Sequence, residues 1–114
     1  MLPLEIRKYL FDISEACDFI AQFTRGITFE EYQNDPLVRS AVERQFEIIG
    51  EALNRAIHAD PTLRFAISNT HRIIAFRNRL IHGYATVADE VVWGIIETNL
   101  AVLSREVTCL LKEP

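Results

Sequence analysis

Asp35–Ala59 reads DPLVRSAVERQFEIIGEALNRAIHA, with apolar side chains at Val38, Val42, Phe46, Ile49, Leu53 and Ala56. Spacings of three and four place these six on one face of a helix. Asp35 stands where an N-cap belongs. Pro36 follows at the first helical position, where its missing N–H costs nothing. The pattern predicts a long helix that stops near Ala59, before the Asp60-Pro61 break. Gly50 interrupts it at a cost of about 1 kcal/mol relative to Ala, which implies that another element, most simply a second helix, passes close by.

The same rhythm extends to both sides. Upstream, Ile6, Leu10, Ile13, Cys17 and Ile20 mark a helix over about residues 3–24, ended by Gly26. Thr28 and Glu31 form a capping box that opens a short helical turn through Tyr32. Downstream, Asp60-Pro61 opens a connecting segment. Asn69 is placed to cap a helix carrying Ile73, Ile74, Phe76, Leu80 and Ile81, which Gly83 closes. A last helix starts at Ala88 or Asp89 and carries Val92, Ile95, Ile96, Asn99, Leu100, Leu103, Val107 and Leu110 almost to the end. No segment alternates as a strand does. The expectation is an all-α single domain over residues 1–114, an up-and-down bundle of four long helices with one or two short ones. The first and last helices, and the one after Asn69, carry apolar residues on more than one face, as a homodimer requires.

Composition narrows the function classes. The 114 residues are 49% apolar, enough for a core that needs no disulfide or metal. Cys17 and Cys109 lack the spacing of a zinc site and read as buried filler in a reducing compartment. No apolar run reaches the length of a membrane helix. Met1 to Lys8 carries Glu5 among its bases with no small-residue cleavage site after it, so the expected location is cytoplasmic. The net charge of −4 is unevenly spread: residues 1–60 hold 11 acids and 6 bases, residues 61–88 hold four bases and no acid, and residues 89–114 hold 5 acids and 2 bases. The four bases are Arg64, Arg72, Arg77 and Arg79, with His71 and His82 beside them. Arginine outnumbers lysine ten to two, and its planar fork suits phosphate and carboxylate.

Within that cationic window, Arg72–Tyr84 reads RIIAFRNRLIHGY. At about 100° per residue, Asn78 and His82 share a helix face, whereas Arg77 lies about 140° from His82. The long Arg77 stem and the terminal place of His82 still let the two flank one cleft, with Tyr84 close to the same end. An imidazole can take the proton of a ribose 2′-hydroxyl, and a guanidinium can hold the phosphate and its developing charge. Attack by the 2′-oxygen needs neither metal nor cofactor, and it selects RNA over DNA. Spacing alone favours a different reading, a solvated basic helix end whose His suits the helix dipole. Arg64, Arg72 and Arg79 fit surface solubility as well as phosphate contact.

The string Arg77-Asn78-x-Leu80-Ile81-His82-Gly83-Tyr84 resembles the Arg-x4-His-x-Tyr signature of HEPN domains, and among them the HepT-like toxins of toxin–antitoxin pairs. Ile49-Gly50-Glu51-Ala52 and Val92-Trp93 extend the likeness over most of the chain. The resemblance implies a helical bundle that dimerises so that both motifs meet at one cleft, where two cationic windows form a groove for RNA. It implies a metal-independent ribonuclease with Arg77 and His82 as catalytic residues, Asn78 as a polar helper, and Arg72 and Arg79 toward RNA. It also implies a partner, a minimal nucleotidyltransferase antitoxin that transfers AMP to Tyr84 and so blocks the groove by bulk and like charge.

Glu51 has two readings, an ion pair to an active-site arginine or a surface i,i+4 pair with Arg55, and it is left outside the site. Trp93 reads as core or dimer interface. Two other functions compete with the nuclease: a non-catalytic subunit that partners a nucleotidyltransferase and binds nucleotide or RNA, and a dimerisation bundle with no ligand.

Overall fold

The computed structural model describes residues 2–83 and 87–113, and among these every regular element is helical. Helix α1 spans Leu4–Thr24, α2 Phe29–Gln33, α3 Pro36–Ala59, α4 Thr70–His82, α5 Asp89–Thr98 and α6 Leu100–Lys112, with a 3-10 turn at Pro61–Phe65 between α3 and α4. An all-α bundle is therefore what the chain forms.

The helix starts follow their local chemistry. Asp35 accepts hydrogen bonds from the Leu37 and Val38 backbone N–H groups, and Thr28 and Glu31 cap α2 reciprocally. Gly26 turns the chain after α1 with φ +76°, a conformation that favours glycine. Asn69 behaves differently. It occupies the N-cap of α4 in a left-handed conformation, φ 60°, and its side chain makes no capping bond. The segment before α4 is instead tied to α6, where Glu106 accepts from the Ser68 N–H at 3.0 Å and its hydroxyl at 2.7 Å.

The expected last helix is broken into α5 and α6 at Asn99. The Thr98 hydroxyl donates to the Gly94 carbonyl at 2.7 Å, a back-bond that bends helices, while Leu100, Leu103 and Val107 continue the buried stripe beyond the break.

The core lies between α1, α3 and α6. Leu10, Ile13, Ile20, Val42, Leu53 and Val107 are fully buried. Tyr32 is also buried, its ring 5.3 Å from Trp93, which Phe29 flanks on another side at 6.0 Å. Cys17 belongs to this core, and burial, with Asp18 adding to it, pushes its thiol up to about 12, so it is inert at neutral pH. Cys109 is exposed, contrary to the expectation for both cysteines, because it lies off the stripe that α6 buries.

Helix α4 is the least enclosed. Its main support is α3, through the buried Leu80 and an edge-on contact of Phe76 with Phe46 at 5.4 Å. Ile73 and Phe76 stay half-buried over an apolar cleft of about 240 Å³ that Ile95, Leu100 and Leu103 close from α5 and α6.

Candidate active site

The path from sequence to site runs through Gly50. A Cβ there would fall 2.6 Å from the Arg77 Cγ and closer still to its Cβ, so only glycine lets α4 lie so near α3. The mid-helix glycine marks that crossing, and the passing element is the one that carries the motif. The Arg77 stem rests on α3, leaving its side chain only 24% exposed.

This placement aims the guanidinium at the next residue of α3. Arg77 Nη2 donates to Glu51 Oε2 at 2.6 Å, and Nη1 donates to Asn78 Oδ1 at 3.0 Å. Arg77 Nε is buried and makes no hydrogen bond. A guanidinium has five N–H groups in a fixed fork, so each Nη keeps a second N–H for an incoming oxyanion. Glu51 is itself shared, for its Oε1 accepts from Arg55 Nε at 2.8 Å. That hydrogen bond is the larger cause holding the Glu51 carboxyl below its ordinary range; burial opposes it, and the Arg77 charge assists.

Both readings of Glu51 therefore hold at once, and the residue belongs to the site from which the sequence reading left it out. The signal for it was its neighbour: a side chain beside a glycine that marks a helix crossing faces the crossing. Tyr9 of α1, Glu51, Arg55, Arg77 and Ile81 line an open groove of about 470 Å³ along the α3–α4 seam.

The other motif residues are distributed around this arginine. Asn78 is exposed and engaged with Arg77. His82 is the last residue of α4, exposed, and not among the walls of the Arg77 groove. Gly83 stands at the C-cap, where its N–H bonds the Arg79 carbonyl at 2.8 Å. Arg79 is exposed on the same last turn, and Arg72 is exposed toward the opposite end of α4, beside the apolar cleft. Tyr84, the expected modification site, lies outside the described residues. Among the described residues no three His, Cys, Asp or Glu side chains gather as metal ligands, and no helix is long and apolar enough to cross a membrane.

Comparison with known proteins places this geometry in a family. The family model described as "Ribonuclease HepT-like" matches residues 13–110. The chain is 32% identical over 107 residues to a Methanocaldococcus jannaschii protein named "Putative RNase MJ1380", covering 94% of this chain and 97% of the relative. It is 34% identical over 106 residues to "Probable ribonuclease HepT" of Thermococcus cleftensis, with 93% and 96% covered. "Putative RNase TTE0752" of Caldanaerobacter subterraneus is 30% identical over 107 residues, with 94% and 95% covered. No solved structure matches. The chain belongs to the HepT-like ribonuclease family.

Proposed function

We propose that this protein is a metal-independent endoribonuclease, the toxin half of a cytoplasmic toxin–antitoxin pair, with Arg77 and His82 as its catalytic residues at a cleft between two copies. The observation that carries this reading is the mounting of Arg77. Its stem is fixed on Gly50, Glu51 and Asn78 each hold one nitrogen of the fork, and N–H groups remain for a phosphate. An arginine held in place before its ligand arrives stabilises developing charge without reorganising.

In the reaction, His82 takes the proton of a ribose 2′-hydroxyl and the 2′-oxygen attacks the adjacent phosphorus. The O2′–P bond forms and the P–O5′ bond breaks, leaving a 2′,3′-cyclic phosphate and a 5′-hydroxyl end. Arg77 neutralises the charge gathered on the non-bridging oxygens. The leaving 5′-oxygen takes its proton from water, and His82 returns its own to solvent before the next turnover. Dimerisation is supported by the open apolar cleft beside α4, lined by Ile73, Phe76, Ile95 and Leu103. Arg72 and Arg79 draw the RNA backbone along α4. Tyr84, two residues beyond His82, is where a nucleotidyltransferase antitoxin moves AMP from ATP to the phenol oxygen with release of pyrophosphate. The added anion occupies the place of the RNA phosphate.

A second reading, a non-catalytic subunit that binds nucleotide or RNA beside a nucleotidyltransferase, is favoured by the absence of His82 from the Arg77 groove. One experiment separates them: purified protein with EDTA and total RNA, beside His82→Ala and a sample pretreated with the candidate nucleotidyltransferase and ATP. Cleavage by the parent alone establishes the switched nuclease. Intact RNA in every lane, with the parent unmodified by mass, overturns the nuclease reading and favours the binding subunit.

A further inference from the structure

The α3–α4 seam does not end at Arg77. His71, Ile74, Arg77 and Ile81 follow each other on α4 at spacings of three and four, and Glu51, Asn54 and His58 do so on the facing side of α3. The groove holding Arg77 and Glu51 is thus continued by a second one, lined by His58, Arg64 and His71, where the 3-10 turn enters α4. Arg64 and His71 also border a shallower hollow that contains Phe65 and Arg72.

The two ends of the seam differ in charge. Asp12, Glu47 and Glu51 stand among the walls at the Arg77 end, whereas no acid lines either hollow at the turn. Two carboxylates border this segment and are held by neutral donors: Asp60 accepts from the Thr62 N–H, and both Glu106 oxygens accept from Ser68.

Phe65 is 92% exposed in the middle of this basic junction. Leu63 and Ile67, two residues to either side, are buried and pin the turn to the core, while Arg64 and Ala66 are exposed beside the ring. An aromatic ring held outward on a fixed turn, beside arginines, is an arrangement that takes an unpaired base on its face and phosphates on its flanks.

We propose that this junction is a second contact for single-stranded RNA, in which a base stacks on Phe65 while Arg64 and Arg72 meet the neighbouring phosphates and His71 donates a hydrogen bond. The inference rests on the nuclease reading for the identity of the strand. At a rise of 1.5 Å per residue, His71 lies about 9 Å along α4 from Arg77 and about 16 Å from His82, so a strand with its scissile phosphate at Arg77 reaches Phe65 within a few nucleotides. The site therefore measures substrate length: fragments too short to reach the turn are held more weakly than longer strands.

The test uses a fluorescent, uncleavable 2′-O-methyl strand on the order of ten nucleotides long, with anisotropy read at several salt concentrations. Phe65→Ala should weaken binding roughly five- to a hundredfold with the salt slope unchanged, and Phe65→Tyr should restore it. Arg64→Ala should weaken binding and reduce the salt slope by about one. Phe65→Ala binding as tightly as the parent overturns the inference. So does a Phe65→Ala protein whose mass by light scattering changes while its affinity does not, since Phe65 is then a protein contact. If the parent cleaves RNA and its binding ignores Phe65, this inference alone falls. If binding needs Phe65 and RNA is never cut, the nuclease reading falls and the contact stands.

Discussion

Replacing Gly50 by Ala sets two effects of known sign against each other. Ala in mid-helix gains about 1 kcal/mol over Gly. The new methyl, however, enters space held by the Cβ and Cγ of Arg77, atoms fixed close to the α4 backbone rather than at a free side-chain end. Forcing an extra carbon into a filled contact costs about 1–3 kcal/mol. The net is a loss of about 1 kcal/mol, or a fall in Tm of about 3–6 °C for a domain near this size. Activity should suffer more than stability, because α4 or the Arg77 side chain must shift to relieve the contact, and a displacement near 1 Å at a catalytic group costs on the order of a hundredfold. Gly94→Ala is the matched control: it lies within α5, and a Cβ there meets nothing within 4 Å. That variant should melt a few degrees higher, as the helix preference alone dictates. Thermal melts followed by circular dichroism, with RNA cleavage on the same samples, decide the matter. A Gly50→Ala protein as stable and as active as the parent, or two variants whose Tm moves the same way, would refute the steric account of the crossing.

Glu51→Gln keeps the shape of the Arg77 anchor and removes its charge. With the carboxylate 38% exposed, stability should fall by less than about 1 kcal/mol, while RNA cleavage falls tenfold or more. Because Glu51 titrates below its ordinary 4.5 in the folded chain, the parent holds this stability in full above pH 4.5 and loses it as the pH falls through the lower folded value; denaturant titrations at neutral and acid pH should show Glu51→Gln losing less. Glu43 has the opposite sign: burial first, then Asp89, raises its carboxyl against the pull of Arg39, so its charge destabilises the fold at neutral pH. Glu43→Gln should be more stable there by less than about 1 kcal/mol, and chemical denaturation should show the advantage vanish below pH 4.5. Asp35→Ala removes the acceptor of two N-terminal N–H groups of α3 and should cost about 1 kcal/mol by thermal melting.

Features set by neighbours a few residues apart were open to sequence reading. The Thr28–Glu31 box, the Asp35-Pro36 start and the turn at Gly26 involve local bonds, and each forms as its residues dictate. The break at Asn99 was hidden because the buried stripe runs through it. A Thr98 hydroxyl bond to the Gly94 carbonyl accompanies the break, and apolar periodicity is blind to it. At Asn69 the residue type suited a cap, but a tie between Ser68 and Glu106, 38 positions apart, fixes the approach to α4 instead. The Arg77–Glu51 pair spans 26 positions and two helices, so no helix-spacing rule reaches it. The cost of Gly50 pointed toward that crossing, and one of the two readings of Glu51 toward its arginine partner.

In the proposed dimeric nuclease, the geometry of α4 also bears on which chain supplies Arg77 and which His82. Arg77 turns into the α3 seam under the hold of Glu51, while His82 ends the helix in solvent outside that groove. A base for the 2′-hydroxyl and a cation for the phosphate must reach atoms of one phosphodiester, within a few ångströms of each other. In the proposed dimer joined along α4, we infer that Arg77 of one copy works with the His82 of the other. This arrangement makes a sharp prediction, because under the proposed chemistry Arg77→Ala and His82→Ala chains should each be inactive alone. When the two are mixed, unfolded and refolded together, a mixed dimer holds one intact Arg77 and one intact His82 on opposite chains. Half of a statistical mixture is mixed, with one of two composite sites complete, so about a quarter of parental activity should return if the pair works across the interface. If each chain uses its own pair, no mixed dimer contains a complete site and the mixture stays as inactive as its components.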